Sequence, residues 1–362
     1  MMPMSSIARR TGFTLVELLV SMALLVILLL VLISITDSTR KIWSQTTVKA
    51  SQFRDAREAF EAITRKLSQA TLNTYLDYEY PPIIGGTDAG KPDTTQPPKR
   101  YVRQSELRFI SGTAATLITG SNASKCPTHA VFFQAPLGFS DDASHSNLEK
   151  LLNTCGYFIQ FGDDSQLRPG FLDKTNLVPL RNRFRLMEMV EPAESLSLYK
   201  YTNGNPAYSG TSWFNDPLAL NPPPVQVRAE NIVALVILPK LTPEEDPTGR
   251  SLAPNYSYDS TSIGASAALT GSAAAAVNSK NQIPPVIQVT MVAVDEISFS
   301  RLQSGSKMPD FFGTTSPFSD ASKYDADLRA LEQTLQNKRL NYRVFTTNVS
   351  LKTAKWSREQ TN

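Results

Sequence analysis

The stretch FTLVELLVSMALLVILLLVLISIT, from Phe13 to Thr36, decides the fold of this chain. It holds 24 residues with one charge, Glu17, and neither Gly nor Pro. A helix of this length rises about 36 Å at ~1.5 Å per residue, enough to cross the ~30 Å hydrocarbon core of a bilayer. A core helix of a soluble protein seldom runs so far without a polar face. The stretch therefore predicts a transmembrane helix over residues 13–36.

Glu17 is the only charge inside this span and needs a partner. A carboxylate within an apolar span costs about 2.5–3.5 kcal/mol on insertion scales. If the peptide bond between Gly12 and Phe13 is cleaved, the new amine of Phe13 lies one helical turn from Glu17. In a packed array of such helices, the amine of a neighbouring subunit is an equally good partner. Either pairing removes the cost of the buried charge.

The residues around this bond resemble a known signal. The sequence RRTG, which ends at Gly12, and FTLVELLV, which begins at Phe13, closely resemble the class III signal of type IV prepilins and type II secretion pseudopilins. The resemblance implies that a membrane-embedded prepilin peptidase cleaves between Gly12 and Phe13 and methylates the amine of Phe13. It also implies that Glu17 guides the subunit into a filament of other pilin-like subunits. An ordinary secretory signal is cleaved after its apolar region. This one is cleaved before it, so the helix remains as an anchor.

The leader, residues 1–12, carries Arg9 and Arg10 and no acid. The positive-inside tendency puts it in the cytoplasm and the chain after the span beyond the cytoplasmic (inner) membrane, in the periplasm or outside. Arg40 and Lys41 follow the span and oppose this orientation, which therefore rests partly on the resemblance. The net charge is +3 without a basic block, which argues against a nucleic-acid partner.

From Phe13 to Tyr80 the chain contains no Gly or Pro. After the span, apolar residues recur at helical spacing and charged residues fall between them. The stripe comprises Phe53, Ala56, Phe60, Ile63, Leu67 and Ala70. It predicts an amphipathic helix over 37–80 that continues the anchor and lays one face on a globular domain. A two-stranded coiled coil is the alternative.

Pro81 and Pro82 are predicted to end this helix, and 81–100 is a loop by composition. Beyond it the apolar period changes from helical to alternating, which indicates strands. Strands are expected near 106–109, 131–133, 157–161, 183–190, 232–238, 286–294 and 342–351, with a helix over 325–336. The Ser/Ala/Gly-rich stretch 260–282 reads as a second loop. Residues 81–362 thus form an extracytoplasmic β-rich domain, and the fold class is α+β and pilin-like.

Two later stretches carry looser resemblances. The segments ENIVALVILPKL (230–241) and IPPVIQVTMVAVDE (283–296) are similar to the C-terminal half of J-type minor pseudopilins of type II secretion. The segment YRVFTTNVSLKTAKW (342–356) resembles large prepilin-like proteins of Verrucomicrobia, known as cassette protein C. These resemblances imply a minor subunit at or near the tip of a filament.

Cys126 and Cys155 lie beyond the membrane, in what is expected to be an oxidising compartment. A disulfide between them would close a loop of about 30 residues and stabilise the fold by roughly 3–4 kcal/mol. Two free buried thiols are a second interpretation. A metal site that includes His129, three residues after Cys126, is a third, but its spacing is weak.

Catalytic patterns are scarce in this sequence. Its two histidines, His129 and His145, lie in no nucleophile motif, so no catalytic residue and no enzyme activity are predicted. Acidic pairs at 141–142 and 163–164 and the acidic run at 244–246 resemble loops that hold calcium in some pseudopilins. None has EF-hand spacing, so solvated turn residues are the favoured interpretation, and no cofactor or metal ligand is predicted.

The sequence therefore favours a structural role. The chain is expected to be a minor pilin-like (pseudopilin) subunit, processed by a prepilin peptidase and assembled into a type II secretion or type IV pilus-like filament. The alternative is a membrane-tethered binding module that does not polymerise. An enzyme domain on a pilin-type anchor is a third hypothesis.

Overall fold

The computed structural model describes residues 15–120, 123–145, 147–165, 168, 179–200, 210–262, 279–302, 306–313 and 318–356. The chain divides into two units, the first ending at Gln52 and the second beginning at Phe53. Described by itself, the first is helical, while the second carries the end of that helix and all the strands. The predicted α+β class is confirmed: a long N-terminal apolar helix and a globular domain rich in antiparallel strands.

Helix α1 spans Leu15–Leu67, 53 residues. The prediction that it continues to residue 80 is wrong at its C-terminal end. Asn73 has φ 46°, a left-handed conformation that cannot continue a helix. Residues 71–80 are also rich in Thr, Asn and Tyr, which favour turns and strands over helix. Tyr75–Glu79 forms the first strand, β1, instead.

Strand β1 pairs antiparallel with β2 (Arg100–Gln104) to form a two-stranded ribbon. The connection between them is the Pro- and Gly-rich segment that the sequence predicts as a loop. Within it Pro82 and Pro92 form an isolated bridge. The loop prediction agrees with the structure, except that Arg100 already belongs to β2.

Six further strands form the larger sheet. They are β3 (Ile110–Thr113), β4 (His129–Pro136), β5 (Leu152–Gly162), β6 (Arg183–Glu191), β7 (Val225–Glu230) and β9 (Tyr258–Asp259). Their spatial order is β7-β6-β5-β4-β3-β9, and every neighbouring pair is antiparallel. β7 and β9 are therefore its edge strands.

Three strands form the smaller sheet: β8 (Ile232–Lys240), β10 (Val286–Val294) and β11 (Tyr342–Ser350). Their order is β11-β10-β8, again antiparallel throughout. Short helices connect the strands of the body: α2 (Ala114–Leu117), α3 (Ser212–Leu218), α4 (Glu296–Leu302) and α5 (Tyr324–Asn337).

The core of the body is rich in aromatic side chains. The ring of Phe132 stacks on that of Phe214 with centroids 3.9 Å apart, and Trp213 meets Phe132 edge-on. Gly156, opposite Phe132 in the β4–β5 register, is required here, because a Cβ at this position would lie 2.2 Å from the Phe132 ring. Strand β8 is buried along almost its whole length.

Most predicted strands are confirmed, since β4, β5, β6, β8, β10 and β11 lie where alternation or apolar runs placed them. The predicted helix over 325–336 is confirmed as α5. The strand expected near 106–109 is wrong in its bounds, because pairing begins only at Ile110. Of the loop predicted at 260–282, residues 263–278 lie outside the described residues.

Candidate functional site

The first part of α1 has the properties of a membrane span. A 30-residue stretch from Leu15 to Ser44 has a mean hydropathy of 3.3 in its most apolar window, and none of that window is buried by protein. Its large aliphatic side chains between Leu15 and Ile35 are each 49–77% exposed. A helix that is apolar on every side is stable only where an apolar medium surrounds it. The finding supports a single N-terminal membrane anchor.

Hydroxyl side chains in and just after this span donate hydrogen bonds to backbone carbonyls of the same helix. The hydroxyl of Ser21 donates to the carbonyl of Leu18 at 2.9 Å, and that of Thr36 donates to the carbonyl of Leu32 at 2.8 Å. Ser38 and Thr39 donate in the same way to carbonyls four residues earlier. Within lipid a hydroxyl has no water to bond. These local bonds therefore make the four side chains compatible with the bilayer or its border.

The predicted processing residues, Gly12 and Phe13, lie outside the described residues. Glu17 falls in the first turn of α1. Leu15, where α1 begins, is also the first residue that the structure describes. The assembly role of Glu17 and the cleavage both remain predictions.

The last part of α1 docks on the globular body. The stripe predicted from the sequence is buried there, with Ile63 and Leu67 fully inaccessible and Phe60 8% exposed. The ring of Phe60 packs against that of Phe345 on β11, with centroids 5.7 Å apart. Arg57, off the stripe, remains exposed and pairs with Glu61 at 2.8 Å. This half of the helix buries one face, as the sequence predicts.

A buried polar cluster fastens this end of α1 to the larger sheet. Lys66 of α1 donates to Glu188 Oε1 at 2.8 Å. Glu188, on β6, is 1% exposed and also accepts hydrogen bonds from Tyr157 on β5 and Arg228 on β7. One carboxylate therefore ties the helix and three strands together. We name Lys66, Tyr157, Glu188 and Arg228 the Glu188 cluster.

The partners of Glu188 offset the effect of burial on its ionisation. Burial by itself raises the pKa of Glu188, but hydrogen bonds from Lys66 and Tyr157 and the charge of Lys66 outweigh it and hold that pKa below its usual value. Burial, followed by the negative charges nearby, raises the pKa of Tyr157 far above its usual value. Glu188 is therefore an ionised acceptor and Tyr157 a neutral donor. The cluster positions α1, and no part of it is arranged as a nucleophile and base.

Sequence reasoning missed the Glu188 cluster. The sequence feature that could have indicated it is a set of charged residues within the apolar strand β6. These residues are all buried: Arg183, Arg185, Glu188 and Glu191. Buried charges need partners, so such a strand predicts ion pairs. Arg183 pairs with Glu296, and Arg185 pairs with Glu230. The partners lie far away in the sequence and have no spacing that identifies them.

The disulfide candidate is corrected by the structure, in which Cys126 and Cys155 are free, buried thiols. They have different surroundings. Burial, and next the charge of Glu188, raises the pKa of Cys155 to about 12. Burial raises the pKa of Cys126 to about 12 as well, but the charge that opposes it comes from Lys125. Both thiols are thus protonated and packed as small apolar side chains.

His129 does not support the metal interpretation. It is 1% exposed, its Nε2–H donates to the carbonyl of Phe318 at 2.9 Å, and its Nδ1 accepts from the N–H of Ile237 at 3.1 Å. Both ring nitrogens are occupied, and burial lowers the pKa of His129 to about 4. Among the described residues no group of three or more His, Cys, Asp or Glu side chains is arranged to hold a metal ion.

The acidic loops are occupied by protein donors. Asp246 accepts from the backbone and hydroxyl of Thr248 and Ser251 and from the backbone of Arg250. In the 141–142 loop, Asp142 Oδ1 accepts from the backbone N–H of Ser144 at 2.8 Å. Asp164 pairs with Arg168 at 2.7 Å. These contacts agree with turn-stabilising roles for the acidic side chains.

Comparison with known proteins adds one finding. Residues 7–33 match the prokaryotic N-terminal methylation motif. Neither a curated protein nor a solved structure matches the chain. The chain thus carries an N-terminal methylation motif, and this match supports the class III signal that the sequence resembles. This signal implies processing by a prepilin peptidase and association with a membrane.

Proposed function

We propose that this chain is a minor pseudopilin-type subunit of a type II secretion or type IV pilus-like filament. One observation carries the proposal: the methylation motif leads into a single uninterrupted helix, Leu15–Leu67. The first part of that helix suits lipid, and its last part is docked on a body. Such a helix can pass from membrane to filament core while the body travels with it.

In this role the residues of the signal have distinct tasks. The peptidase cleaves between Gly12 and Phe13, and the amine of Phe13 is methylated. Glu17 then pairs with that amine, or with the amine of a neighbouring subunit, in the apolar filament core. The partners are the peptidase and other pilin-like subunits.

The remaining features fit a structural subunit. The N-terminus lies in the cytoplasm and the body lies beyond the inner membrane, in the periplasm or outside. In the described residues the body has a six-stranded sheet, a three-stranded sheet and the β1–β2 ribbon. It is large for a repeating subunit, which favours a minor subunit near the filament tip. The role requires no catalytic residue, metal or cofactor, and the acidic loops serve as turns.

Mass spectrometry of the protein isolated from its own cells tests the first step. We expect a chain that begins at Phe13, lacks the first twelve residues and carries one extra methyl group at its N-terminus. A protein that retains residues 1–12, or that is soluble without detergent, contradicts the proposal.

Glu17→Ala tests assembly and distinguishes the filament subunit from a membrane-tethered binding module. We expect normal processing and membrane localisation, with loss of the subunit from the sheared filament fraction because the amine lacks its partner. Glu58→Ala is the control, since Glu58 is an exposed charge on the same helix in an i,i+4 pair with Arg54. If Glu17→Ala has no effect on filament recovery, the tether is the better account.

A further inference from the structure

Strand β11 is an edge strand of the smaller sheet, and its inner side is regular. All nine residues pair with β10, from Val286 opposite Ser350 to Val294 opposite Tyr342, without a register shift. A long, unbroken edge strand is a template on which another strand can pair. The β11 edge is therefore a candidate binding surface for another strand.

The hydrogen bonds just outside β11 reveal which of its backbone groups face outward. The N–H of Leu351 donates to Pro285 O at 3.0 Å, and the N–H of Asp295 donates to Asn341 O at 2.9 Å. Hydrogen-bonded pairs alternate along an antiparallel ladder, so the odd-numbered residues from 341 to 351 face β10. The N–H and C=O groups of the even-numbered residues face outward. They belong to Tyr342, Val344, Thr346, Asn348 and Ser350.

This outward row is open. Within the described ranges, neither main chain nor side chain bonds those five N–H and five C=O groups. The row ends at Lys352, whose N–H donates to Ser68 O at 3.2 Å. The open length is thus set by the protein itself, at five outward residues.

The opposite edge of the same sheet shows how the fold closes an edge. On β8 the outward N–H groups are those of Leu235 and Ile237, because the even-numbered residues of this strand face β10. Leu235 N–H donates to Thr128 Oγ1 at 3.1 Å, and Ile237 N–H donates to His129 Nδ1 at 3.1 Å. Two buried side chains therefore satisfy these two N–H groups.

The edges of the larger sheet are also protected. β9 has only two residues. β7 follows three prolines, Pro222 to Pro224, and its pairing with β6 is broken by a register shift. Its exposed positions include Arg228 and Glu230, which pair with Glu188 and Arg185. Proline, a bulge and charges are the usual protections of an edge, and β11 has only one of them, the charge of Arg343.

Charge around β11 specifies the kind of strand that fits it. From Lys338 to Trp356 the chain carries five cations and no acid. The five cations are all exposed and, within the described ranges, none is in an ion pair: Lys338, Arg339, Arg343, Lys352 and Lys355. A second copy of the same edge would bring like charges together. An acidic strand would bring complementary charge to the same main-chain row.

We propose that β11 binds an extended acidic segment of a partner protein, which adds a fourth strand to the smaller sheet. The five outward residues bond the main chain of the segment. The exposed cations hold its carboxylates and select it over neutral strands. This proposal does not depend on filament assembly, because it concerns only the body.

The experiment uses the full chain in detergent micelles and a fluorescent nine-residue peptide of alternating glutamate and valine. We expect saturable binding by fluorescence anisotropy, weakened by salt, and much weaker binding of the peptide with lysine in place of glutamate. Absence of binding by the acidic peptide overturns the proposal, as does equal binding of the lysine peptide.

Thr346→Pro tests main-chain pairing. Its N–H faces outward, so proline removes a donor for the incoming strand without removing a bond to β10. We expect at least a tenfold loss of peptide affinity, with the thermal unfolding of the body changed little. The matched control is Thr346→Val, which loses the same hydroxyl but keeps the N–H, and we expect it to bind within about twofold of the unchanged protein.

Two outcomes of the proline variant overturn the proposal. Unchanged peptide affinity in Thr346→Pro means that the cations alone attract the peptide. The second outcome is seen by analytical ultracentrifugation: the unsubstituted protein is a dimer and Thr346→Pro is a monomer. This result means that the edge pairs with a second copy of the chain. Lys352→Glu combined with Lys355→Glu is a second variant that leaves β11 intact, and we expect it to reduce binding of the acidic peptide at least tenfold.

Discussion

The two ends of α1 belong to one continuous helix but suit different surroundings. Between Leu15 and Ile35 every large apolar side chain is about half exposed or more, on all sides of the helix. Near the C-terminal end, Ala56, Phe60, Ile63 and Leu67 are buried along one stripe, and charged residues cover the rest. The difference shows that the period of the apolar residues, not their number, selects the surroundings of a helix: lipid on every side, or one protein face.

The largest expected effect concerns the Glu188 cluster, which only the docked end of α1 possesses. Glu188→Ala leaves Lys66 and Arg228 without their shared acceptor. Breaking a buried ion pair costs about 3–5 kcal/mol, and partial exposure of Arg228 puts this case near about 3 kcal/mol. The measurement is the free energy of unfolding of the body in detergent, followed by near-UV circular dichroism in guanidinium.

Glu61→Ala is the control for that change. Glu61 pairs with Arg57 on the exposed side of the same helix, where both side chains are more than 60% exposed. An exposed pair contributes less than about 1 kcal/mol. Equal losses in the two variants would mean that the Glu188 cluster does not fasten the helix.

The next effect compares the same substitution at the two ends of α1. Ile63→Ala removes a fully buried side chain, and we expect it to destabilise the body by about 2–3 kcal/mol. Ile27→Ala shortens a side chain in the membrane span, so the body should unfold at an unchanged denaturant concentration. Both are read from the same guanidinium titration, and an equal shift for Ile27→Ala would contradict the division of the helix.

The smallest expected effect is a pH dependence of the body that the membrane span does not share. Burial lowers the pKa of His129 in the folded body to about 4, whereas an unfolded histidine has a pKa near ~6.5. The unfolded state therefore takes up the proton first as pH falls. The contribution of neutral His129 to the free energy of unfolding is fully present above about pH 6.5 and declines towards pH 4. Between pH 7 and 5.5 the free energy of unfolding falls by about 1 kcal/mol.

His129→Gln keeps a donor and an acceptor but does not titrate, so this part of the pH slope should disappear. Denaturant midpoints at pH 7 and 5.5 measure it in both proteins. Flotation of the chain with lipid vesicles should be the same at the two pH values, because His129 lies in the body. A slope that survives in the variant would assign it to other groups.

The sequence predicted those parts of the molecule that repeat a local pattern. The span follows from length and apolar content, and the docking stripe from the spacing of Phe53, Phe60 and Leu67. The strands of the smaller sheet follow from alternation in Val286–Val294 and Tyr342–Ser350. The signal around Gly12 and Phe13 was found because its chemistry is confined to adjacent residues.

The parts that were missed depend on contacts between distant residues. The end of α1 at Leu67 is set by the pairing of Tyr75–Glu79 with β2, which competes with helix over residues that suit either. Glu188 meets Lys66 across 122 positions of sequence. The cysteines were expected to bridge because the compartment favours it, yet their fate depends on what packs beside each one. The open edge of β11 follows from the order of the strands in the smaller sheet, which no local pattern encodes.

The bond from Lys352 N–H to Ser68 O, together with that from Thr353 Oγ1 to Ala70 O at 2.6 Å, has a mechanical consequence. Any tension on the anchor enters the body along the main chain of α1. At Lys66, Ser68 and Ala70 it is shared with β6, the strand next to edge strand β7 of the larger sheet, and with the segment that follows β11. A pull on the helix is thus distributed to the larger and the smaller sheet within about one helical turn.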